Sequence, residues 1–338
     1  MDVLTQGLLG AAVAQSGSKQ SETKIATLVG FLTGMLADAD VLIRSAEDSL
    51  LTIEYHRHFT HSLFFIPFGA LIAALLLWPF LRKKLGFKVL YFYTFLGYMF
   101  SGVLDAFTSY GTHLYWPFSD ERVSWHLISI IDPIFTLVLL ISILVGLKIK
   151  NTKAARTGLV LCSLYLVVGA IQLNRVEQFT YNLAQQRGHT IKQLVSKPTL
   201  GNLFLWRSTY INDDKIHVDG IRAGFSDIKH YPGNSITKLK LSEIESRVSP
   251  GSILYNDIKR FGFFSDDYLV WYPGKQNVIG DMRYALLPDS TMPLWGIEFD
   301  LDQSDKHAHF VAFRANNEQN RDRFFNMVKG LDVPLLNP

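Results

Sequence analysis

Charge is scarce in this chain and cysteine is nearly absent. Only 19% of the 338 residues are charged, against 48% hydrophobic and 13% aromatic. That balance is too apolar for an ordinary soluble protein of this length. The single cysteine, Cys162, lies in an apolar stretch, which excludes an internal disulfide and any multi-cysteine metal knot. A net charge of +3 gives no pointer to nucleic acid. The opening MDVLTQGLLGAAVAQSG lacks the basic start of a secretory signal, its first charge being Asp2, so it is read as part of the mature protein. There is no G-x-S-x-G elbow, no phosphate-binding glycine loop, no internal repeat and no low-complexity tract.

Long apolar segments are present instead. Ser62–Phe80, Val89–Phe107, Ile128–Leu147 and Thr157–Leu173 match the length of roughly 17–25 residues that crosses a bilayer. Leu4–Ala14 and Ile25–Ala37 are shorter and rich in glycine and alanine. They fit short spans, re-entrant helices or helices packed among the others, because small residues allow close backbone approach. The expectation is four to six spans, with six preferred. The basic short loops Leu81–Lys88 and Lys148–Arg156 belong on the cytoplasmic side. Alternation then places Asp38–His61, Thr108–His126 and the chain after Asn174 on the opposite side.

The predicted architecture is a polytopic α-helical membrane domain over 1–174 and a soluble extracytoplasmic α+β domain over 175–338. In the latter, NLFLWRSTYI, KIHVDGIRAGF, DYLVWYP, LWGIEFDLD and HAHFVAFRA alternate apolar and polar residues as half-buried strands do. LKLSEIESRV and NEQNRDRFFNMVKGL carry helical spacing. Ser196–Asn202 reads as the junction after a stalk helix continuing from the last span.

An aspartate at the centre of a membrane helix costs about 2.5–3.5 kcal/mol, so ionisable residues there usually serve a purpose. Asp38, Asp40, Asp105 and Asp132, with His56, His58, His61, His113 and His126, all fall toward the extracytoplasmic end of the spans. Imidazole and carboxylate suit a divalent metal, zinc first and manganese as the alternative. Zinc would provide a hydroxide nucleophile near neutral pH. His58 and His61 are three residues apart and would share one helix face; His56 would point elsewhere. Each residue has an ordinary alternative. The histidines serve as interfacial anchors, Asp38 and Asp40 as helix caps, and Asp132, before Pro133, as an N-cap. His307 and His309 read as surface residues.

The ordered set MDVLTQ, DAD, HRHFTHS, LDAFTSYGT, WPFSD and IIDP resembles the YdjM-type family of bacterial inner-membrane proteins, described as membrane-bound metal-dependent hydrolases. The resemblance covers Met1 to about Leu147 and implies a hydrolase, an inner-membrane location and zinc phospholipase-like ligands. The family's Pro-Asp-x-Asp element falls on Asp38 and Asp40, with Ala37 replacing proline. Its His-Arg-Gly-x-Thr-His-Ser element falls on His56, Arg57, Thr60, His61 and Ser62, with His58 at the glycine position. Its His-x-x-x-Asp element falls on Ser101 and Asp105, and Gln6 stands where other branches carry histidine. Two imidazoles are therefore missing, for which His58, His113 and His126 are the available substitutes.

Two functions follow as expectations. One is a hydrolase of an ester or phosphoester, lipid-like by the depth of the site, at the periplasmic membrane surface. His61, Asp40 and Asp105 would bind metal, Asp38 and His58 would be further ligands, and Asp132 or His126 would orient a ligand or move a proton. The other is a non-catalytic scaffold or sensor with a degenerate metal site and a partner-binding periplasmic domain. Both are multi-pass proteins of the inner membrane, in contact with lipid and not with nucleic acid.

Overall fold

A computed structural model describes residues 1–314 and 317–336. The chain divides into two compact units. The first is Met1–Leu42, Tyr55–Ile171 and Leu200–Asn202; the second is Ile43–Glu54, Gln172–Thr199 and Leu203–Pro338.

The first unit is helical. Its elements are α1 (Val3–Ser16), α2 (Thr23–Leu36), α3 (Leu51–Tyr55, whose last residue alone belongs here), α4 (Ile66–Leu81), α5 (Phe87–Tyr98), α6 (Ser101–Ala106), α7 (Pro133–Ile149) and the start of α8 (Lys153–Gln186). Short 3-10 turns at Ala37–Leu42 and Phe59–His61 carry Asp38, Asp40 and His61. Four stretches are long and apolar enough to cross a membrane: Thr23–Leu42, Leu63–Leu81, Phe87–Ala106 and Lys153–Gln186. The apolar segment expected at Ile128–Leu147 is the 17-residue helix α7. It starts late because Asp132 caps it and Pro133 occupies its first turn. Exposed Leu75 and Leu76 on α4, Ile141 and Leu144 on α7, and Leu161 and Leu164 on α8 give these helices an apolar outer surface, as lipid contact requires.

Helix α1 is short, and all of Thr5 to Gln15 except the half-buried Leu9 is buried. At one end the Met1 ammonium pairs with Asp105. At the other, Gln15 Nε2 donates to Ile143 O at 3.3 Å and Arg156 donates to Ser16 O. Its small residues explain the packing. A Cβ at Gly10 would stand 2.4 Å from Gly30 O and 2.7 Å from Gly97 O, so α1, α2 and α5 meet backbone to backbone.

The second unit holds two antiparallel four-stranded sheets. One runs β1 (Gln193–Pro198), β2 (Leu205–Asn212), β3 (Lys215–Ala223), β4 (Ile228–Thr237); the other runs β5 (Leu269–Trp271), β6 (Val278–Asp281), β7 (Trp295–Glu298), β8 (His309–Ala312). Both contribute to one core in which Val195, Ile211, Ile216 and Val218 pack with Tyr268, Val270 and Met282. Helices α9 (Leu241–Glu245), α10 (Ile253–Phe264) and α11 (Glu318–Lys329) complete it. Met327 of α11 packs on Leu205 and Tyr231 of the first sheet.

The junction expected at Ser196–Asn202 is displaced. Ser196, Lys197 and Pro198 are paired with Ser208, Arg207 and Trp206 as the end of β1. Pro198 is tolerated there because a proline at the end of an edge strand removes no needed ladder donor.

Candidate functional site

The three polar elements of the first unit meet at one place. Asp38 and Asp40 sit on the 3-10 turn that ends α2, His61 on the turn before α4, and Asp105 on α6. One ligand atom each from Asp38, His61 and Asp105 lies within 4.8 Å of the others, and all three residues are buried. His61 Nε2 is 3.3 Å from Asp38 Oδ1 and 3.0 Å from Asp105 Oδ2. Yet Nε2, both Asp38 oxygens and Asp105 Oδ2 are buried without hydrogen-bond geometry to any group among the described residues. Buried polar atoms are almost always satisfied. The separations also approach the ~3.4 Å between ligand atoms of a tetrahedral ion with bonds of about 2.0–2.1 Å. The donor set therefore fits a divalent metal.

Asp40 stands on the other edge of the imidazole. Its Oδ2 lies 3.2 Å from His61 Nδ1 and accepts from Arg57 N and Thr60 Oγ1, both at 2.8 Å; its Oδ1 is 2.9 Å from His56 Nδ1. A carboxylate on the far nitrogen orients a metal-binding histidine and fixes its tautomer. Burial alone pushes the His61 pKa down, but the Asp105, Asp38 and Asp40 carboxylates around it outweigh that and raise it to about 10.

Arg57 is the residue of the matched motif to which the sequence assigned no role. It is 3% exposed, and its Nε lies 3.2 Å from Asp105 Oδ2. Its φ of 62° lies in the left-handed region. Backbone bonds hold it there, from Arg57 N to Asp40 Oδ2 at 2.8 Å and from His113 N to Arg57 O at 3.0 Å. The available signal was an arginine inside the histidine-rich run, which burial near carboxylates explains. Gln6 and Ser101, the two positions without the expected imidazoles, touch each other: Gln6 Nε2 donates to Ser101 O at 3.1 Å.

His58, His126 and Asp132 are not brought into the group. The His58 ring lies against His113, centroids 4.5 Å apart, and against Trp116. His126 Nε2 is 3.4 Å from Ser124 Oγ. Asp132 Oδ1 accepts from Ile134 N and Phe135 N as the cap of α7, and its Oδ2 accepts from Tyr165 OH at 2.9 Å.

The second unit contains another group with metal-like spacing, Asp48, Asp257 and His307. Here Arg260 already supplies the cation, 3.0 Å from Asp48 and 2.9 Å from Asp257. His307, expected at the surface, is half-buried with Nδ1 2.9 Å from Asp257 Oδ2; His309 is exposed as expected.

Apolar spanning helices enclosing a buried acid–imidazole group define a polytopic membrane protein with a candidate metal centre. The family model of the YdjM inner membrane protein matches residues 1–176, and the chain belongs to that family. A relative, the "Uncharacterized protein YfhP" of Bacillus subtilis (strain 168), is 30% identical over 152 residues, 45% of this chain and 43% of that protein. The match therefore spans less than half the length of that relative. No solved structure matches the chain.

Proposed function

We propose that the first unit is a metal-dependent hydrolase centre, with Asp38, His61 and Asp105 holding zinc or manganese. Its substrate is an ester or phosphoester, lipid-like because the ligands sit at the ends of apolar helices. The observation that carries this reading is the convergence of one ligand atom each from three buried residues, with His61 Nε2, both Asp38 oxygens and Asp105 Oδ2 lacking hydrogen-bond geometry among the described residues. A divalent ion held there supplies Lewis acidity and lowers the pKa of a water toward about 7. The chain's own residues do the rest. Asp40 turns the His61 Nε2 toward Asp38 and Asp105, and Arg57 offsets the charge of Asp105.

The reading places the ligands and the second unit on the periplasmic side of the inner membrane. It is supported by the basic segments Leu81–Lys88 and Lys148–Arg156 at the opposite ends of α4, α5, α7 and α8. A periplasm-dependent reporter fused after the last residue should be active; activity only of a cytoplasm-dependent reporter would reverse the assignment.

One observation favours a second reading, a non-catalytic scaffold with a structural ion. The side chains of His61, Asp40 and Asp105 are fully covered, and closed sites are typical of structural metals. Purified protein with stoichiometric metal and turnover of phosphodiester or carboxyl-ester lipid analogues supports the hydrolase. Stoichiometric metal with no turnover across such a panel supports the scaffold. Metal content should fall in His61→Ala and stay unchanged in His309→Ala.

A further inference from the structure

We propose that the loop around Phe118 is a bilayer wedge, with the Phe118 ring inserted among the lipids beside the start of α4. Every residue involved belongs to the first unit. The insertion rests on the apolar membrane helices of that unit and not on reading Asp38, His61 and Asp105 as a metal site.

Phe118 is 82% exposed, yet the loop that carries it is firmly bonded. Thr112 and Val123 close its base by two backbone bonds, of 3.0 and 2.9 Å. Leu63 N donates to Leu114 O at 3.0 Å and joins the loop to the start of the apolar stretch Leu63–Leu81. Nearer the tip, Trp116 N donates to His113 O, and Phe118 N and Ser119 N donate to Tyr115 O. The Trp116 ring packs on Phe59, centroids 6.1 Å apart. The backbone thus holds the Phe118 side chain out.

The ring does not stand alone. It meets Phe64 edge-on with centroids 5.8 Å apart, and Phe64 lies 5.6 Å from Phe68. Phe64 and Phe68 are 48% and 50% exposed, and exposed Leu71, Ile72, Leu75 and Leu76 continue the row along α4 at helical spacing. A contiguous exposed apolar surface marks a contact with a partner or a membrane. Here the continuity selects the bilayer, because lipid that covers Leu75, Leu71 and Phe68 reaches Phe64 and Phe118 without a break. Directly after Phe118 the chain turns polar, with Ser119, Asp120, Glu121 and Arg122, as suits a loop leaving the apolar layer for the headgroups. Exposed Tyr115 brings an amphipathic ring to that level. The wedge also sets the depth of the buried acid–imidazole group. His113 N, in the same loop, donates to Arg57 O at 3.0 Å, and Arg57 Nε lies 3.2 Å from Asp105 Oδ2. With Phe118 in lipid, Arg57 and Asp105 are held close to the membrane surface.

The test uses the full chain in vesicles of phosphatidylethanolamine and phosphatidylglycerol. Cys162 is buried and is replaced as Cys162→Ala. In that background Phe118→Cys, Leu75→Cys and Glu121→Cys each carry one nitroxide. Its collisions with oxygen, which concentrates in lipid, and with a nickel chelate, which stays in water, are read by EPR power saturation. The oxygen-to-nickel ratio at 118 should approach that at 75 and exceed that at 121 several-fold. A ratio at 118 equal to that at 121 places the ring in water and overturns the proposal. A label at 118 shielded from both reagents means cover by protein, such as a second copy, and overturns it as well. A water-like ratio at 75 removes the membrane reading of α4 and the wedge with it. If Phe118→Cys does not fold, Tyr115→Cys carries the comparison with the same outcomes.

Discussion

Gly102 sets how closely α6 approaches the turn that carries His61. A Cβ added there would lie 1.8 Å from His61 O, a clash with backbone that no rotamer relieves. Gly102→Ala is therefore expected to cost about 1–3 kcal/mol and to lower metal content, read by thermal melting and elemental analysis on the same sample. A second residue-scale prediction concerns His217 on β3. Burial, then the neighbouring His189 and Arg187, push its pKa down to about 4, whereas an unfolded histidine titrates near 6.5. Between those values the unfolded chain binds a proton that the folded chain does not, so stability falls as pH falls from about 6.5 toward 4. Melting of the protein followed from pH 7 to 4.5 should show a shallower decline in His217→Gln than in wild type. At this scale Asp38, His61 and Asp105 stood out in the sequence because ionisable residues beside apolar helices are costly. The division of labour around His61 did not stand out. Asp38 and Asp40 are two residues apart on a 3-10 turn, and only the folded turn puts one at Nε2 and the other at Nδ1. Gly102 carried no signal at all, since a close approach depends on which segment arrives opposite it.

At the scale of elements, α7 shows how one carboxylate can look catalytic and act as a cap. Asp132 satisfies two backbone donors at the start of the helix and accepts from Tyr165. Asp132→Ala should cost about 1 kcal/mol, the usual value of a lost N-cap, with metal content unchanged. Loss of metal in a folded Asp132→Ala protein would instead bring it into the site. The long helices and the strands β2, β3, β5, β7 and β8 were legible because their hydrophobic periods are strong. Others were not. β1 contains Lys197 and Pro198, which look like a linker, and it is a strand only because β2 pairs with it. β4 reads IKHYPGNSIT, with proline and glycine inside it and Tyr231 as its one buried residue. Helix α1 was legible as apolar but not as a helix largely buried among its neighbours, a distinction that depends on Gly10, Gly30 and Gly97 meeting in three dimensions.

At the scale of the whole molecule, the division into a helical membrane part and a sheet-containing part follows from composition. The segment Ile43–Glu54 does not: it lies between two parts of the first unit in sequence and packs in the second. Its attachment depends on Asp48, Ser49 and Glu54 finding Arg260 and β8, residues about 200 positions or more away, as the separations of 206 to 261 residues show. Such pairings leave no local pattern. The central claim is that Asp38, His61 and Asp105 hold a divalent ion. The most direct test is elemental analysis of the detergent-purified full chain beside Asp105→Ala, after loading with zinc or manganese. The account predicts near-stoichiometric metal in wild type and its loss in a variant that remains folded. Equal metal in both, or none in wild type, would contradict it.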